Sequence, residues 1–198
     1  MKYILNIVSL SLLSIITIAA QTSYAECLSV GSISCYGKDY SDEDAMLRVG
    51  GLLKHQDKSV ETINLLCPIT SHGVTQQHVE SMSVYLKDKL AHPIDSAWGE
   101  GYDKNNIIVR LRNVDSYDGD INTIWNVYSA TGNRSKIGSH EWGTQGYYKV
   151  TTIRGSNYPV MNFNDQFYYL DVTIKRDSVS DTPVFSGVSI CGTAVRDR

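Results

Sequence analysis

The chain has 198 residues, with 18 Lys+Arg against 21 Asp+Glu and a formal charge of −3. A hydrophobic fraction of 42% and a charged fraction of 20% exclude a disordered polymer, and the mild acidity lacks the basic excess of a nucleic-acid binder. Tyrosine dominates the aromatics, 13 against 3 Phe and 3 Trp.

Residues 1–25 read as a cleaved signal peptide. Lys2 gives a positive start, Tyr3 to Ala20 an apolar run, and Ser23-Tyr24-Ala25 the small residues a signal peptidase reads. A membrane anchor is the competing reading of that run; the small-residue end and the absence of stop-transfer charges oppose it. Glu26 before Cys27 likewise disfavours a lipid-modified cysteine. Removing the leader removes one lysine and no acid, taking the charge from −3 to −4. Residues 26–198 are then expected to form a single domain, secreted or periplasmic, with no transmembrane segment after cleavage. In an oxidising compartment Cys27, Cys35, Cys67 and Cys191 are expected to form two disulfides. Of the three pairings, a short closed loop favours Cys27–Cys35, leaving Cys67–Cys191. A zinc site is disfavoured because no C-x-x-C or H-x-x-x-H spacing occurs.

Along the chain, Glu26 to Tyr40 has no clear period and reads as a pinned N-terminal loop. Ser41-Asp42-Glu43-Asp44 resembles a helix start with Ser41 as cap. Ala45, Met46, Val49, Leu52 and Leu53 continue at helical spacing. Gly50-Gly51 would weaken such a helix by about 1 kcal/mol each, so a short helical turn followed by a strand is an equal reading.

From there period two takes over. Ile63, Leu65, Cys67 and Ile69 share a face. Met82, Val84 and Leu86 do too, although Val79, Met82, Leu86 and Leu90 also fit a helix. Ile107, Val109 and Leu111 oppose Ile108, Arg110 and Arg112. Ile121, Thr123, Trp125 and Val127 form the next face, then Tyr148, Val150 and Thr152. Tyr168, Leu170, Val172 and Ile174 oppose Asp171, Thr173 and Lys175. In the last run Val188 and Ile190 are expected on one side, Phe185 and Cys191 on the other. About seven short strands, with turns such as Asp118-Gly119, predict an all-β antiparallel β-sandwich, Ig-like or jelly-roll-like, with a short N-terminal helix.

Gly50-Gly51-Leu52-Leu53 leading to Ile63-Asn64-Leu65-Leu66-Cys67-Pro68-Ile69 resembles a pattern of small exported bacterial all-β proteins, with a strand ending in Cys-Pro-Ile. Tyr168-Tyr169-Leu170-Asp171-Val172 and Gly187-Val188-Ser189-Ile190 are similar to their later strands. The likeness touches about half of the mature chain. It implies a sandwich fold and export; such proteins mostly have no assigned activity, so it implies no functional residue.

Candidate sites follow from residue chemistry. Trp98, Glu100 and Tyr102, together with His140, Glu141 and Trp142, form two aromatic–glycine–acid segments expected in loops. Trp and Tyr faces stack on sugar rings while carboxylates bind hydroxyls, which suggests a glycan ligand; the bland alternative is that these tryptophans cap the core. Glu100 and Glu141 would also be the acid pair of a glycosidase-like hydrolase. Asp118, Asp120 and Asn122 alternate as calcium ligands do, but the calcium-loop pattern then fails and Asp-Gly equally serves a hairpin turn. No cofactor is expected, with calcium at this turn as the alternative. His72 and His78, with Glu80, are a weaker metal candidate. Arg110 and Arg112, near Lys149 or Lys175 if the strands pair suitably, could take an acidic ligand or serve cross-strand pairing. The expected role is binding rather than catalysis, with a glycan, envelope component or protein as partner. A secreted hydrolase and a periplasmic inhibitor or immunity-type protein are the alternatives.

Overall fold

Alternation of apolar and polar residues dictates the architecture, because each pleated strand can bury one of its two faces. The computed structural model describes residues 25–56, 62–88, 106–129, 134–136, 147–153, 157–176, 178–180 and 182–196. Among these residues the chain forms two antiparallel sheets packed around one core. The larger, nine-stranded sheet runs β10 (Arg134–Lys136), β11 (Tyr147–Ile153), β7 (Ser81–Lys87), β14 (Val184–Arg196), β4 (Leu52–His55), β3 (Met46–Val49). Three further strands join it: β1 (Ala25–Gly31) and β6 (Val74–His78) pair with β14, and β12 (Val160–Asn162) pairs with β6. The smaller sheet runs β2 (Tyr36–Gly37), β5 (Thr62–Ile69), β13 (Gln166–Lys175), β8 (Ile107–Asp115), β9 (Ile121–Tyr128). The strands outnumber the seven expected because β2, β3, β4, β10 and β12 have two to four residues each, too short to register as a period.

The core-facing sets agree with the alternation in β5, β7, β8 and β13. Ile63, Leu65, Met82, Leu86, Val109, Leu111, Leu170, Val172 and Ile174 are buried between the sheets. Each such side chain contributes roughly 1.5–3 kcal/mol. His55 of β4 is also buried in this layer, its Nε2 3.2 Å from the Ile174 carbonyl. Burial, reinforced by the Arg176 charge and opposed by that hydrogen bond, pushes its pKa down to about 4.

Several expectations are corrected. The N-terminal stretch is not a loop: β1 pairs residue by residue with β14, from Ala25 opposite Thr193 to Gly31 opposite Gly187. The helix α1 (Tyr40–Asp44) is capped by Asp39, whose carboxylate accepts from Asp42 N at 2.9 Å and Ser41 Oγ at 2.6 Å, so Ser41 lies inside it. Gly50 and Gly51, both with positive φ, close the two-residue β3–β4 hairpin and end any helical continuation.

Two bulges change faces that strict alternation misassigns. Between β8 and β9 the register slips, with Leu111 opposite Trp125 but Arg112 opposite Thr123. Trp125 and Val127 therefore enter the core, while Ile121 and Thr123 turn outward. In β14, Ser186 is the extra residue between Phe185 and Gly187, which brings Phe185 onto the core side with Val188 and Ile190.

The disulfides are Cys27–Cys191 and Cys35–Cys67, not the pairing favoured by loop length. Cys27 cannot reach Cys35 because four extended residues carry the chain about 13 Å to Gly31 before it turns. Cys67 faces the core, whereas Cys191 faces outward beside Cys27, on opposite sides of the larger sheet.

Candidate ligand-binding face

The outward residues of β5, β13, β8 and β9 form rows across the smaller sheet, set by antiparallel register. One row reads Phe167, Val114, Ile121; the next Pro68, Tyr169, Arg112, Thr123. A third reads Leu66, Asp171, Arg110, Asn126, and a fourth Asn64, Thr173, Ile108, Tyr128. Phe167 is 70% exposed and Ile121 57%, so an apolar shelf adjoins the charged rows.

Asp171 organises the centre. An acid in the middle of a ten-residue strand is depleted statistically and would be unfavourable if buried unpaired. It is 2% exposed, with Arg112 Nη2 3.0 Å from one carboxylate oxygen and Lys38 Nζ 3.1 Å from the other. The Lys38 contact is an ion pair outside hydrogen-bond geometry. Arg110, directly opposite Asp171, instead donates to Thr173 Oγ1 at 3.3 Å, and Thr173 donates on to Asn64 Oδ1. The backbone of Asn64 is held by Asp42, whose carboxylate accepts its N–H at 2.7 Å. The face is thus pinned from both sides of β13. It presents an aromatic ring, two guanidiniums and amide or hydroxyl groups within neighbouring rows.

The outer face of the larger sheet differs. Ser29, Ser189, Ser83 and Thr151 align in one row, and Gly31, Gly187, Tyr85 and Lys149 in the next. Ser83 and Thr151 hydroxyls hydrogen-bond at 2.9 Å, and Lys149 Nζ lies 5.9 Å from the Tyr85 ring centre. The two glycines leave a groove of about 350 Å³ beside Tyr85, lined also by Ser29, Ser186 and Ser189. Gly187 has φ 149°, and a Cβ there would meet the Val30 carbonyl oxygen at 2.6 Å. The buried Ser186 Oγ has no hydrogen-bond partner among the described residues.

The sequence-predicted sites fare unequally. Trp98, Glu100, Tyr102, His140, Glu141 and Trp142 lie outside the described residues, as do residues 1–24 of the leader. Asp118 and Asp120 are exposed in the turn joining β8 to β9. There the Asp118 carboxylate accepts Asp120 N at 2.9 Å and the Asp115 carboxylate accepts Tyr117 N at 2.8 Å. Asn122, across from Asn113, belongs to the opposite side of the sheet from the Arg112 row. His72 Nε2 pairs with Thr70 Oγ1 at 2.8 Å, and Glu80 accepts from Thr193 at 2.8 Å, so the weaker metal candidate is not assembled. No group of three His, Cys, Asp or Glu side chains placed to hold a metal occurs among the described residues. Arg110 and Arg112 do share their face with Lys175, whereas Lys149 belongs to the other sheet. Sequence reasoning passed over Phe167, Tyr169 and Asp171 as a site. Its available signal was the buried strand's central acid, which demands cationic partners on a neighbouring strand.

No described helix is long and apolar enough to cross a membrane. No family model matches the sequence, and no curated protein does. Among solved structures, a family two carbohydrate esterase from Cellvibrio japonicus superposes with TM-score 0.34 at 6% identity, over 88% of this chain and 36% of that one. This chain therefore spans about a third of the esterase's length. A family 29 carbohydrate binding module superposes with TM-score 0.35 at 8% identity, over 85% of this chain and 89% of the module. Superpositions this loose carry no argument about ligand or activity.

Proposed function

We propose that this is an exported, non-catalytic glycan-binding protein whose binding surface is the outer face of the smaller sheet. The observation that carries the reading is the exposed Phe167 ring, in register with an apolar shelf, one row from Arg112, which Asp171 holds, and two rows from Arg110. Sugars bind by laying their C–H faces on aromatic rings while planar polar groups take the hydroxyls. Asp171 fixes Arg112 in advance, so little rotamer freedom is lost on binding. Two disulfides fit the secreted or periplasmic compartment that the leader implies.

Glycoside hydrolysis is most often performed by two carboxylates flanking the scissile bond. The central rows of this face carry one, Asp171, and it is buried in ion pairs, which is why the role assigned to the face is binding. The test is affinity electrophoresis and glycan-array binding of the mature protein. Phe167→Ala is expected to weaken glycan retention about tenfold with the fold intact. A wild-type protein that ignores every glycan and co-purifies with one stoichiometric protein would replace this reading with an inhibitor or immunity-type role.

A further inference from the structure

We infer that the glycan taken by this face is acidic: a sugar unit carrying a carboxylate, with its ring on Phe167 and Tyr169 and its charge at Arg110 and Arg112. The inference rests on the glycan reading above and fixes the chemical class of its ligand.

Charge distribution is the first argument. The chain as a whole is net negative, yet Lys38, Arg110 and Arg112 gather on this face around the carboxylate of Asp171, with Lys175 two rows further along β13. Among the described residues the acids at its margins form no ion pair with Arg110 or Arg112. Asp42 accepts from Asn64 N, and Glu43 accepts from Gly37 N and pairs with Arg48. Asp115 and Asp118 hold the turn backbone, and Asp165 accepts from Asn162 Nδ2 at 2.6 Å. None of these acids neutralises the two arginines.

Unused donors are the second argument. A guanidinium offers five N–H donors in a planar fork suited to a carboxylate. Among the described residues Arg110 makes one side-chain hydrogen bond, to Thr173, which leaves most of its fork for a ligand. Arg110 and Arg112 lie two residues apart on one strand, about 7 Å along it. Tyr169 stands directly opposite Arg112 and Phe167 one row further. Ring and charge positions therefore fall within the reach of one or two sugar units. The acids at the turn beyond Ile121 would repel a long polyanion running along the strands, so a ligand lying across them is favoured.

The test is calorimetric titration of the mature protein at low salt with tri-galacturonate and with its methyl ester, in which each carboxylate charge is removed by one added methyl group. The free acid is expected to bind about tenfold more tightly, and Arg110→Gln is expected to abolish that preference. Arg110→Gln removes one hydrogen bond and leaves both Asp171 ion pairs in place; an unchanged melting temperature checks the fold. Equal affinity for acid and ester, an acid preference that survives Arg110→Gln, or tighter binding of a sulfated oligosaccharide or of anionic lipid vesicles would overturn the inference. If acid and ester bind equally and both depend on Phe167, the glycan reading stands and only the acidic class falls. If the wild type binds no glycan at all, both fall.

Discussion

The outer faces of the two sheets are built on the same pleat and reach opposite ends of a chemical range. On the larger sheet, register lines up serines with serines and glycine with glycine, so side chains are short and a groove opens beside Tyr85. On the smaller sheet, register lines up Tyr169 with Arg112 and Asp171 with Arg110, giving a flatter surface crowded with long polar chains. Removing side chains makes a hole without charge. Crowding them makes a charged platform that needs internal pairing to hold its shape. The lesson is that cross-strand register, rather than the composition of any one strand, decides what each face offers a ligand.

The largest difference to break is covalent. Cys27–Cys191 ties β1 along the larger sheet with a sequence separation of 164, whereas Cys35–Cys67 closes a separation of 32. In the chain-entropy model these are worth about 5 and about 4 kcal/mol. Replacing each pair by serine should lower unfolding free energy in denaturant titration, more for the first pair, and reduction of the wild type should lower its melting temperature markedly. A first-pair variant as stable as wild type would mean that the β1–β14 ladder alone holds the N-terminal strand.

Next in size is the ion-pair network of the smaller sheet. Arg112→Ala leaves the buried Asp171 with Lys38 alone, and breaking a buried pair from one side typically destabilises by about 3–5 kcal/mol. A loss near 3 kcal/mol is expected because Lys38 remains. Adding Asp171→Asn should restore part of it, since the uncompensated charge is then gone. A double variant no better than the single one would show that Arg112 acts through packing, its stem covering the sheet.

How far this comparison was legible in the sequence follows from the same physics. The core faces of β5, β8 and β13 could be read directly, since burial on one side imposes period two. The outer faces could not, because they depend on which strands lie side by side. Lys38 reaches Asp171 across β5 from more than 130 positions away in sequence. Local periodicity also says nothing of bulges, and one inserted residue at Ser186 was enough to move Phe185 into the core. The disulfides failed for a related reason. Loop length ranks pairings by entropy alone, while the facing direction of Cys67 and Cys191 forbids the one it prefers.

Between the two faces, His55 provides a prediction in pH. Its folded pKa of about 4 lies below the ordinary 6.5 because burial disfavours the imidazolium. As pH falls through 6.5 the unfolded chain takes up a proton that the folded chain refuses. Stability therefore declines between pH 6.5 and 4 and levels off below, by about 3 kcal/mol at 1.36 kcal/mol per unit. His55→Gln should flatten that limb in pH-resolved denaturant titration. An unaltered acid limb in the variant would place the titrating group elsewhere.

The smallest effect separates two serines of the larger sheet's outer face. Ser83 Oγ is hydrogen-bonded to Thr151, so Ser83→Ala leaves a partner unsatisfied and should destabilise by about 1 kcal/mol. Ser186 Oγ is buried beside the groove without a partner among the described residues, so Ser186→Ala removes a desolvated hydroxyl and should be neutral or stabilising by up to about 1 kcal/mol. The signs differ although the substitution is the same, because one hydroxyl has an acceptor or donor in reach and the other does not. Equal losses in paired melting curves would mean that Ser186 Oγ is hydrogen-bonded in solution. In that case the groove beside Tyr85 would already satisfy its polar groups, and the two faces would differ in charge alone.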